Sequence, residues 1–144
     1  MSTSTVYKGS CFCGAVQFTV TGKPALQGYC HCKSCKTWAA APANAFTLWD
    51  PKSVNVAQGS DNIASFNKTA NSERCWCKVC GGHLFSKHPS MELTDVYAAV
   101  IPDFPFEPDI HVHYQEATLH IYDGLPKMKD LPEEAGGSGE LIAE

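Results

Sequence analysis

The sequence predicts a mainly β fold. Three observations indicate it: the alternation of apolar and polar side chains, the frequent turn residues and the overall composition. Apolar side chains alternate with polar ones at Val16, Phe18 and Val20, which flank Gln17 and Thr19. A period of two is typical of a strand with one buried face. Eleven glycines and nine prolines interrupt the chain too often for long helices, and 44% hydrophobic residues suffice for a globular core. We therefore expect a turn-rich architecture of mostly antiparallel sheets.

The other predicted elements are short. One helix starts within residues 32–37 and runs toward residues 39–41, where Pro42 interrupts it. Residues 54–56 alternate like a half-buried strand. Residues 96–101 form a continuous apolar run, which favours a strand buried on both faces.

Two histidines fall in the last predicted strand, over residues 110–114. His111 and His113 share one face of that strand, and we expect this face to be solvated; the alternative is a pair of histidines at a pocket edge. His31 stands between two cysteines, and strand alternation points it away from them. We expect it to pack or to lie at the surface, with a supporting role behind a metal ligand, or in proton transfer, as the alternative.

Length and charge bound the domain count and the partners. The 144 residues predict one domain over residues 1–132, followed by a flexible tail over residues 133–144 with the composition of a linker. The net charge is −4 and Arg74 is the only arginine, so we expect no nucleic-acid partner. No apolar run approaches the roughly 18 residues of a membrane span, and the first residues lack the apolar core of a signal peptide. The sequence thus predicts a cytoplasmic protein with no membrane partner.

Eight cysteines are the strongest chemical signal. Disulfide frameworks belong to short secreted chains, whereas a reducing compartment leaves thiols free for metal or catalysis. Zn–S bonds of about 2.3 Å bring ligand sulfurs about 3.7 Å apart, which closely spaced cysteines can provide. We interpret the cysteines as zinc ligands rather than as disulfides or inert buried thiols. They form three clusters: Cys11-Phe-Cys13, Cys30-His-Cys32-Lys-Ser-Cys35 and Cys75-Trp-Cys77-Lys-Val-Cys80.

The first and third clusters together predict a closed site. Cys11 and Cys13 would join Cys77 and Cys80 across a long stretch of chain. Four thiolates leave no position for water or substrate, so we interpret this site as structural.

The middle cluster predicts a different kind of site. Cys30, Cys32 and Cys35 supply three thiolates, and three protein ligands with an open fourth position describe a catalytic zinc site. Cys75 is the remaining cysteine. It either closes the middle site as a fourth ligand or is a buried free thiol.

These motifs stand in a recognisable order. Residues 9–16 read GSCFCGAV, residues 30–35 read CHCKSC, residues 77–81 read CKVCG, and residues 123–126 read DGLP. They resemble the family of glutathione-dependent formaldehyde-activating enzymes, which includes centromere protein V, over roughly residues 6 to 132. The resemblance implies a β-tent fold of twisted antiparallel sheets with short helical turns, stapled by zinc.

The resemblance also implies chemistry. It implies two Zn²⁺ ions per chain, one structural and one catalytic, and carbon–sulfur lyase activity: condensation of formaldehyde with glutathione to S-hydroxymethylglutathione, or the reverse. The chain departs from the family pattern at Cys75, which is not a cysteine there, and at His120, where a tryptophan is expected. Carried over by motif, the structural ligands are Cys11, Cys13, Cys77 and Cys80, and the catalytic ligands are Cys30, Cys32 and Cys35.

The expected partner is a glutathione-like thiol adduct of formaldehyde or of another small carbonyl compound. Lys33 and Lys36 either bind its carboxylates or lie on a solvated turn. Arg74 is the better candidate, because a guanidinium holds a carboxylate through two hydrogen bonds. The alternative function is a non-catalytic protein-interaction module with two structural zinc ions. A homodimer stays open under both hypotheses.

Overall fold

The computed structural model describes residues 4–143. The predicted mainly β class is confirmed, and none of the helices in this part of the chain has the length and apolar character needed to cross a membrane. Short 3₁₀ turns connect several of the main elements. In chain order these elements are β1 Val6–Ser10, β2 Gln17–Thr21, β3 Leu26–Cys30, α1 Lys33–Ala39, β4 Asn44–Trp49, β5 Val54–Gln58, β6 Ile63–Thr69, β7 Ser72–Cys77, β8 His83–His88, β9 Leu93–Tyr97 and β10 Ile110–Val112.

The chain divides into two compact units. The first contains the residues up to Leu26 together with Thr47–Phe106, and the second contains Gln27–Phe46 together with the chain from Glu107 onwards. The single domain over residues 1–132 that the sequence predicts stays a prediction.

The first unit holds the main apolar core. Strands β1, β2 and β5 form an antiparallel three-stranded sheet, and β9, β8, β7 and β6 lie side by side in that order. The predicted alternation in β2 is confirmed, since Val16, Phe18 and Val20 are buried. The ring of Phe18 meets that of Phe85 edge to face, with centroids 5.6 Å apart. Such aromatic contacts stabilise a core beyond the burial of their area.

The prediction of one strand over residues 96–101 is wrong, because the strand ends at Tyr97. The turn Ala98–Val100 is a 3₁₀ helix, so β9 has already ended where the apolar run is densest. Within β9 only Thr94 and Val96 are buried, which is the pattern of one buried face. Ile101 is fully buried directly after the turn, so the apolar run reaches the core through a bend of the backbone rather than as a strand buried on both faces.

The second unit places β3 between β10 and β4. Strand β10 pairs with β3 in parallel, with Gly28 opposite Ile110 and Cys30 opposite Val112. Position 28 requires glycine, because a Cβ there would overlap the carbonyl oxygen of Ile110. The close pairing aligns the end of β3, where the first cysteine of the middle cluster stands.

The predicted short helix is confirmed as α1. It begins after Cys32, whose Sγ accepts a hydrogen bond from the amide of Cys35 at 3.2 Å. A side chain that accepts from the first turn satisfies one of the free amides at a helix start. The helix ends at Ala40, which adopts the left-handed conformation with φ 53°.

The residues predicted as a tail are hydrogen-bonded to the preceding segment of the second unit. The amide of Ser138 donates to the Asp130 carboxylate at 2.9 Å. The amide of Lys129 donates to the Glu140 carbonyl at 2.8 Å, and that of Ile142 to the Lys127 carbonyl at 2.7 Å. The flexibility of residues 133–144 stays a prediction, and Glu144 lies outside the described residues.

Candidate metal centres

Four cysteine sulfurs converge in the first unit. The Sγ atoms of Cys11, Cys13, Cys77 and Cys80 all lie within 4.8 Å of one another. That of Cys13 is 3.7 Å from Cys11 Sγ and 3.8 Å from Cys77 Sγ. The edge of a tetrahedron with Zn–S bonds of about 2.3 Å is about 3.7 Å. The donor set and its spacing therefore fit a tetrahedral zinc ion.

Backbone amides point at these sulfurs. The amide of Val16 donates to Cys11 Sγ, and that of Gly82 to Cys80 Sγ, each at 3.3 Å. The Gly82 amide lowers the pKa of the Cys80 thiol to about 6, against the opposing effect of burial. Hydrogen bonds from amides stabilise a thiolate, which is the form that binds metal.

The sulfurs also oppose one another. The Ala15 amide lowers the pKa of Cys13, but lost hydration and the neighbouring sulfurs, led by that of Cys11, outweigh it and raise that pKa to about 11. Adjacent thiolates repel, so not all of them ionise at neutral pH without a cation between them. This electrostatic conflict is the one that a divalent ion relieves.

Three further sulfurs converge in the second unit. The Sγ atoms of Cys30, Cys32 and Cys35 lie within 4.8 Å of one another. Cys30 ends β3, Cys32 precedes α1 and Cys35 stands in its first turn. Among residues 4–143, no fourth cysteine, histidine or carboxylate ligand atom joins this group. The arrangement can hold a metal ion and leaves a coordination position without a protein ligand.

The three thiols share their protons unequally. Hydrogen bonds from the thiols of Cys30 and Cys35 hold the pKa of Cys32 well below its usual value. The same contact with Cys32 raises the pKa of Cys30 well above the ordinary thiol value, and Cys35 and burial add to the effect. In the metal-free cluster the thiolate form is therefore favoured at Cys32 and disfavoured at Cys30, and metal binding displaces the protons that the cluster holds.

Charged groups lie beside α1. The backbone amide of Lys33 donates to Glu116 Oε1 at 3.0 Å, and Lys36 Nζ donates to the Glu116 carbonyl oxygen. His113 Nδ1 is 3.6 Å from Glu116 Oε2, and its charge contributes to the low pKa of Cys32. Both predicted lysines thus lie on the helix of the cluster. Glu116 was missed, because nothing in its local sequence ties it to cysteines about eighty residues away.

Arg74 and Cys75 lie on β7 in the first unit. Arg74 stands opposite Ser86 on β8, and its assignment to a substrate carboxylate stays a prediction. The Cys75 thiol is buried and donates toward the Glu73 carbonyl at 3.8 Å. Burial raises the pKa of Cys75 to about 11, so it is a protonated thiol at neutral pH. These surroundings favour the free-thiol interpretation.

His111 is buried, and the expectation of a solvated face for it is wrong. Both His111 and His31 are 0% exposed. The chain at residues 126–128 covers the other side of β10, since the His111 amide donates to Pro126 at 2.9 Å and the Met128 amide donates to His111 at 2.8 Å. Strand β10 therefore has β3 on one edge and residues 126–128 on the other, and the rings of Tyr29 and His31 lie against His111. This arrangement leaves the His111 side chain without exposure to solvent. The Asp123 carboxylate, 2.8 Å from His111 Nε2, belongs to this arrangement and was also missed.

The chain belongs to the family of glutathione-dependent formaldehyde-activating enzymes, whose family model matches residues 6–116. The resemblance drawn from the cysteine motifs is thereby confirmed. An Aspergillus flavus protein with the name "Putative glutathione-dependent formaldehyde-activating enzyme" is 31% identical over 149 residues, which cover 84% of this chain and 78% of that protein. A Halomonas elongata protein of the same name is 29% identical over 110 residues, 71% of this chain and 70% of its own.

Two further matches are more limited. The "Uncharacterized lyase C29B12.13" of Schizosaccharomyces pombe is 29% identical over 79 residues, 55% of this chain, and the match spans only 56% of the length of that relative. A crystal structure of a Rhodobacter sphaeroides protein superposes with a TM-score of 0.57 and 21% identity, covering 67% of this chain and 89% of that one. This last similarity concerns the fold.

Proposed function

We propose that this protein is a zinc-dependent carbon–sulfur lyase that joins a glutathione-like thiol to formaldehyde or another small carbonyl compound, or splits that adduct. The family and the names of the relatives support a glutathione-related, lyase-type enzyme. One observation carries the finer assignment: Cys30, Cys32 and Cys35 converge with no fourth protein ligand among the described residues. Three ligands with an open position are typical of catalytic zinc.

The reaction is a thiol addition without redox change. The thiol sulfur forms a bond to the carbonyl carbon, the π electrons of C=O move to the oxygen, and the thiol proton ends on that oxygen. The reverse reaction breaks the C–S bond. Zn²⁺ held by Cys30, Cys32 and Cys35 would depress the pKa of the substrate thiol and polarise the carbonyl.

The residues around the cluster have distinct proposed tasks. Three thiolates leave a net charge of 2 − 3 = −1 at the centre, which favours a soft, exchangeable ligand such as a substrate sulfur. The exposed side chain of Lys33 is suited to a substrate carboxylate, while Lys36 is engaged by Glu116 and fixes α1. His113 lies next to Glu116, and its positive charge favours the thiolate form of Cys32. Arg74 stays a second proposed carboxylate ligand.

The other centre has a structural role in this proposal. Cys11 and Cys77 belong to the apolar core of the first unit, and four thiolates leave no open position. Zinc there would join the loop after β1 to the turn after β7. All eight cysteines are unbridged, which suits a reducing compartment, and the cytoplasm is the proposed location.

A fourth thiolate from Cys75 at the middle cluster would favour the interaction-module hypothesis. That thiol lies in the core of the first unit, opposite Phe85 and directed at the Glu73 carbonyl. Its surroundings favour the enzyme over the module.

Exchange NMR tests the function. Zinc-loaded protein is mixed with ¹³C-formaldehyde and glutathione. The measured quantity is the rate at which the labelled carbon exchanges between free formaldehyde and S-hydroxymethylglutathione. This rate is compared with the rate in buffer, because the adduct also forms without a catalyst. We expect acceleration by the wild type and none by Cys32→Ser. A panel of other thiols and aldehydes identifies the substrate class. Protein that holds two zinc ions per chain and accelerates no thiol–carbonyl pair would overturn the lyase assignment.

A further inference from the structure

A chain of hydrogen bonds runs through the second unit to the residue between two of the candidate ligands. Lys127 Nζ is 2.8 Å from Asp123 Oδ1, and Asp123 Oδ2 is 2.8 Å from His111 Nε2. His111 Nδ1 is in turn 2.8 Å from His31 Nε2. His31 stands between Cys30 and Cys32 in the sequence. The chain of hydrogen bonds therefore ends one residue from each of two candidate ligands, Cys30 and Cys32.

The direction of these hydrogen bonds follows from Asp123. Burial opposes its ionisation, but hydrogen bonds from Lys127 and His111 hold the pKa of Asp123 well below its usual range. An ionised carboxylate only accepts, so His111 donates to it from Nε2. Nδ1 of His111 shares the next hydrogen bond with Nε2 of His31, at 2.8 Å. Each member thus determines the orientation of the next.

Packing holds the two rings in place. Tyr29 stacks on His111 with centroids 5.1 Å apart and planes 24° apart. Tyr114 meets both rings edge-on, at 4.8 Å from His31 and 5.5 Å from His111. The backbone of His31 is held as well, since its amide donates to the Val112 carbonyl at 3.1 Å. The ring of His31 is thus enclosed by these aromatic side chains, on the same backbone that carries the two adjacent cysteines.

Simple packing does not account for this arrangement. Lys127 is only 5% exposed, and burying an ammonium and two imidazoles costs free energy that apolar side chains of similar volume would avoid. Polar groups that orient metal ligands are a recurring reason for such a cost.

We propose that His111, Asp123 and Lys127 are positioning residues of the three-thiolate centre. They hold the ring of His31 in place. Through His31 they position the sulfurs of Cys30 and Cys32 at the distance that a shared metal ion requires. They touch neither metal nor substrate. The inference rests on the metal assigned to this centre under the proposed function, and it does not depend on the lyase reaction.

Zinc affinity and cobalt spectra test the proposal. The closed centre is kept in its zinc form, and the dissociation constant of Zn²⁺ at the second centre is measured by competition with a chromophoric chelator. Asp123→Asn keeps the size of the side chain but removes the carboxylate, and we expect about 10- to 100-fold weaker binding. Co²⁺ at the second centre should show a shifted absorption band, because the thiolate geometry changes. If Asp123 contributed only to packing, Asp123→Asn would lower the stability of the fold without shifting the Co²⁺ absorption band.

Three more variants keep the test decisive. His111→Gln breaks the chain at another member and should act in the same direction, and it serves in place of Asp123→Asn if that variant does not fold by circular dichroism. Asp123→Glu restores a carboxylate and should recover part of the affinity. Asp130→Asn is the matched control, since Asp130 also accepts several hydrogen bonds in this unit, from Leu131 and Ser138, without contact to His31.

The outcomes separate this inference from the proposed function. Wild-type affinity and spectrum in Asp123→Asn and His111→Gln would overturn the positioning role alone. An equal loss in Asp130→Asn would also overturn it, because general loosening of the unit would then explain the effect. Wild-type protein that takes up only one zinc ion would overturn both proposals.

Discussion

Cys32 and Cys75 show how different the surroundings of two cysteines in one chain can be. Cys32 lies among other sulfurs at the start of α1, whereas Cys75 is buried beside Phe85 in the first unit. The pKa of Cys32 is held well below its usual value and that of Cys75 is raised to about 11. Cys32 also has two other sulfurs within 4.8 Å with which it could share a metal ion, whereas Cys75 belongs to no such group among the described residues, so only Cys32 is placed as a ligand.

Cys32→Ser should remove the second metal and the turnover while it leaves the fold nearly intact. A serine hydroxyl can accept the Cys35 amide hydrogen bond that now goes to sulfur, so the start of the helix is retained. Elemental analysis should find about one zinc fewer per chain, and the unfolding temperature should change little. Cys75→Ser is the control and should keep its zinc; loss of as much metal as in Cys32→Ser would show that Cys75 is a ligand.

Acidification should release the tail through Asp130. Hydrogen bonds from the amide and hydroxyl of Ser138 lower the pKa of Asp130 below its ordinary value. A lowered carboxyl pKa means that the stabilisation is complete above the ordinary pKa and is lost as the pH falls through the lowered one. Hydrogen exchange at the Ser138 amide, corrected for its intrinsic pH dependence, should be faster in Asp130→Asn at pH 7. A difference that persisted at low pH would contradict this origin.

At the scale of elements, the pairing of β3 with β10 places both the cysteine cluster and the buried histidines. Cys30 stands opposite Val112, and His111 opposite Tyr29. The parallel pairing therefore aligns the end of β3 with the strand that carries His111. One register shift would separate the metal ligands from the hydrogen-bond chain behind them.

Gly28→Ala should damage this pairing. The added Cβ would overlap the Ile110 carbonyl, and such overpacking costs about 1–3 kcal/mol. We expect lower stability in denaturant and weaker zinc binding at the second centre. Gly136→Ala is the control: its φ of 87° adds strain of about 1 kcal/mol, but nothing lies within 4 Å. Equal zinc loss in both variants would contradict a specific role for the strand pairing.

At the scale of the whole molecule, the two centres belong to different units and have different ligand sets. One has four sulfurs, two of them in the apolar core of the first unit, and the other has three sulfurs around the start of α1. Metal in the first would contribute directly to the folding free energy of its unit. Metal in the second would be held by fewer ligands.

Mild chelation should therefore remove one zinc and leave about one per chain. Cys80→Ser should lower the unfolding temperature sharply, since structural zinc contributes on the order of 10 kcal/mol, whereas Cys32→Ser should not. Metal content measured along a chelator titration, together with calorimetry, checks both statements. Simultaneous loss of the two metals would contradict the unequal roles.

Much of the fold and of the candidate site was predictable from local sequence. Spacings of one or two residues between cysteines fix sulfur positions within a turn, and alternation fixed which side of β2 is buried. The short helix before Pro42 was also predictable from neighbouring residues in the sequence. The turn at Ala98–Val100 was not predictable, because an apolar run is compatible with more than one backbone path.

The sequence by itself determined the family, the mainly β class and the two groups of cysteines, because short-range spacing and periodicity carry that information. Only the tertiary structure decided that His111 is buried, that Asp123 and Lys127 stand behind it, and that Cys75 lies apart from the four-cysteine group of its own unit. These features depend on pairing between distant segments, such as β10 with residues 126–128. Local sequence does not encode which remote chain will cover a given face.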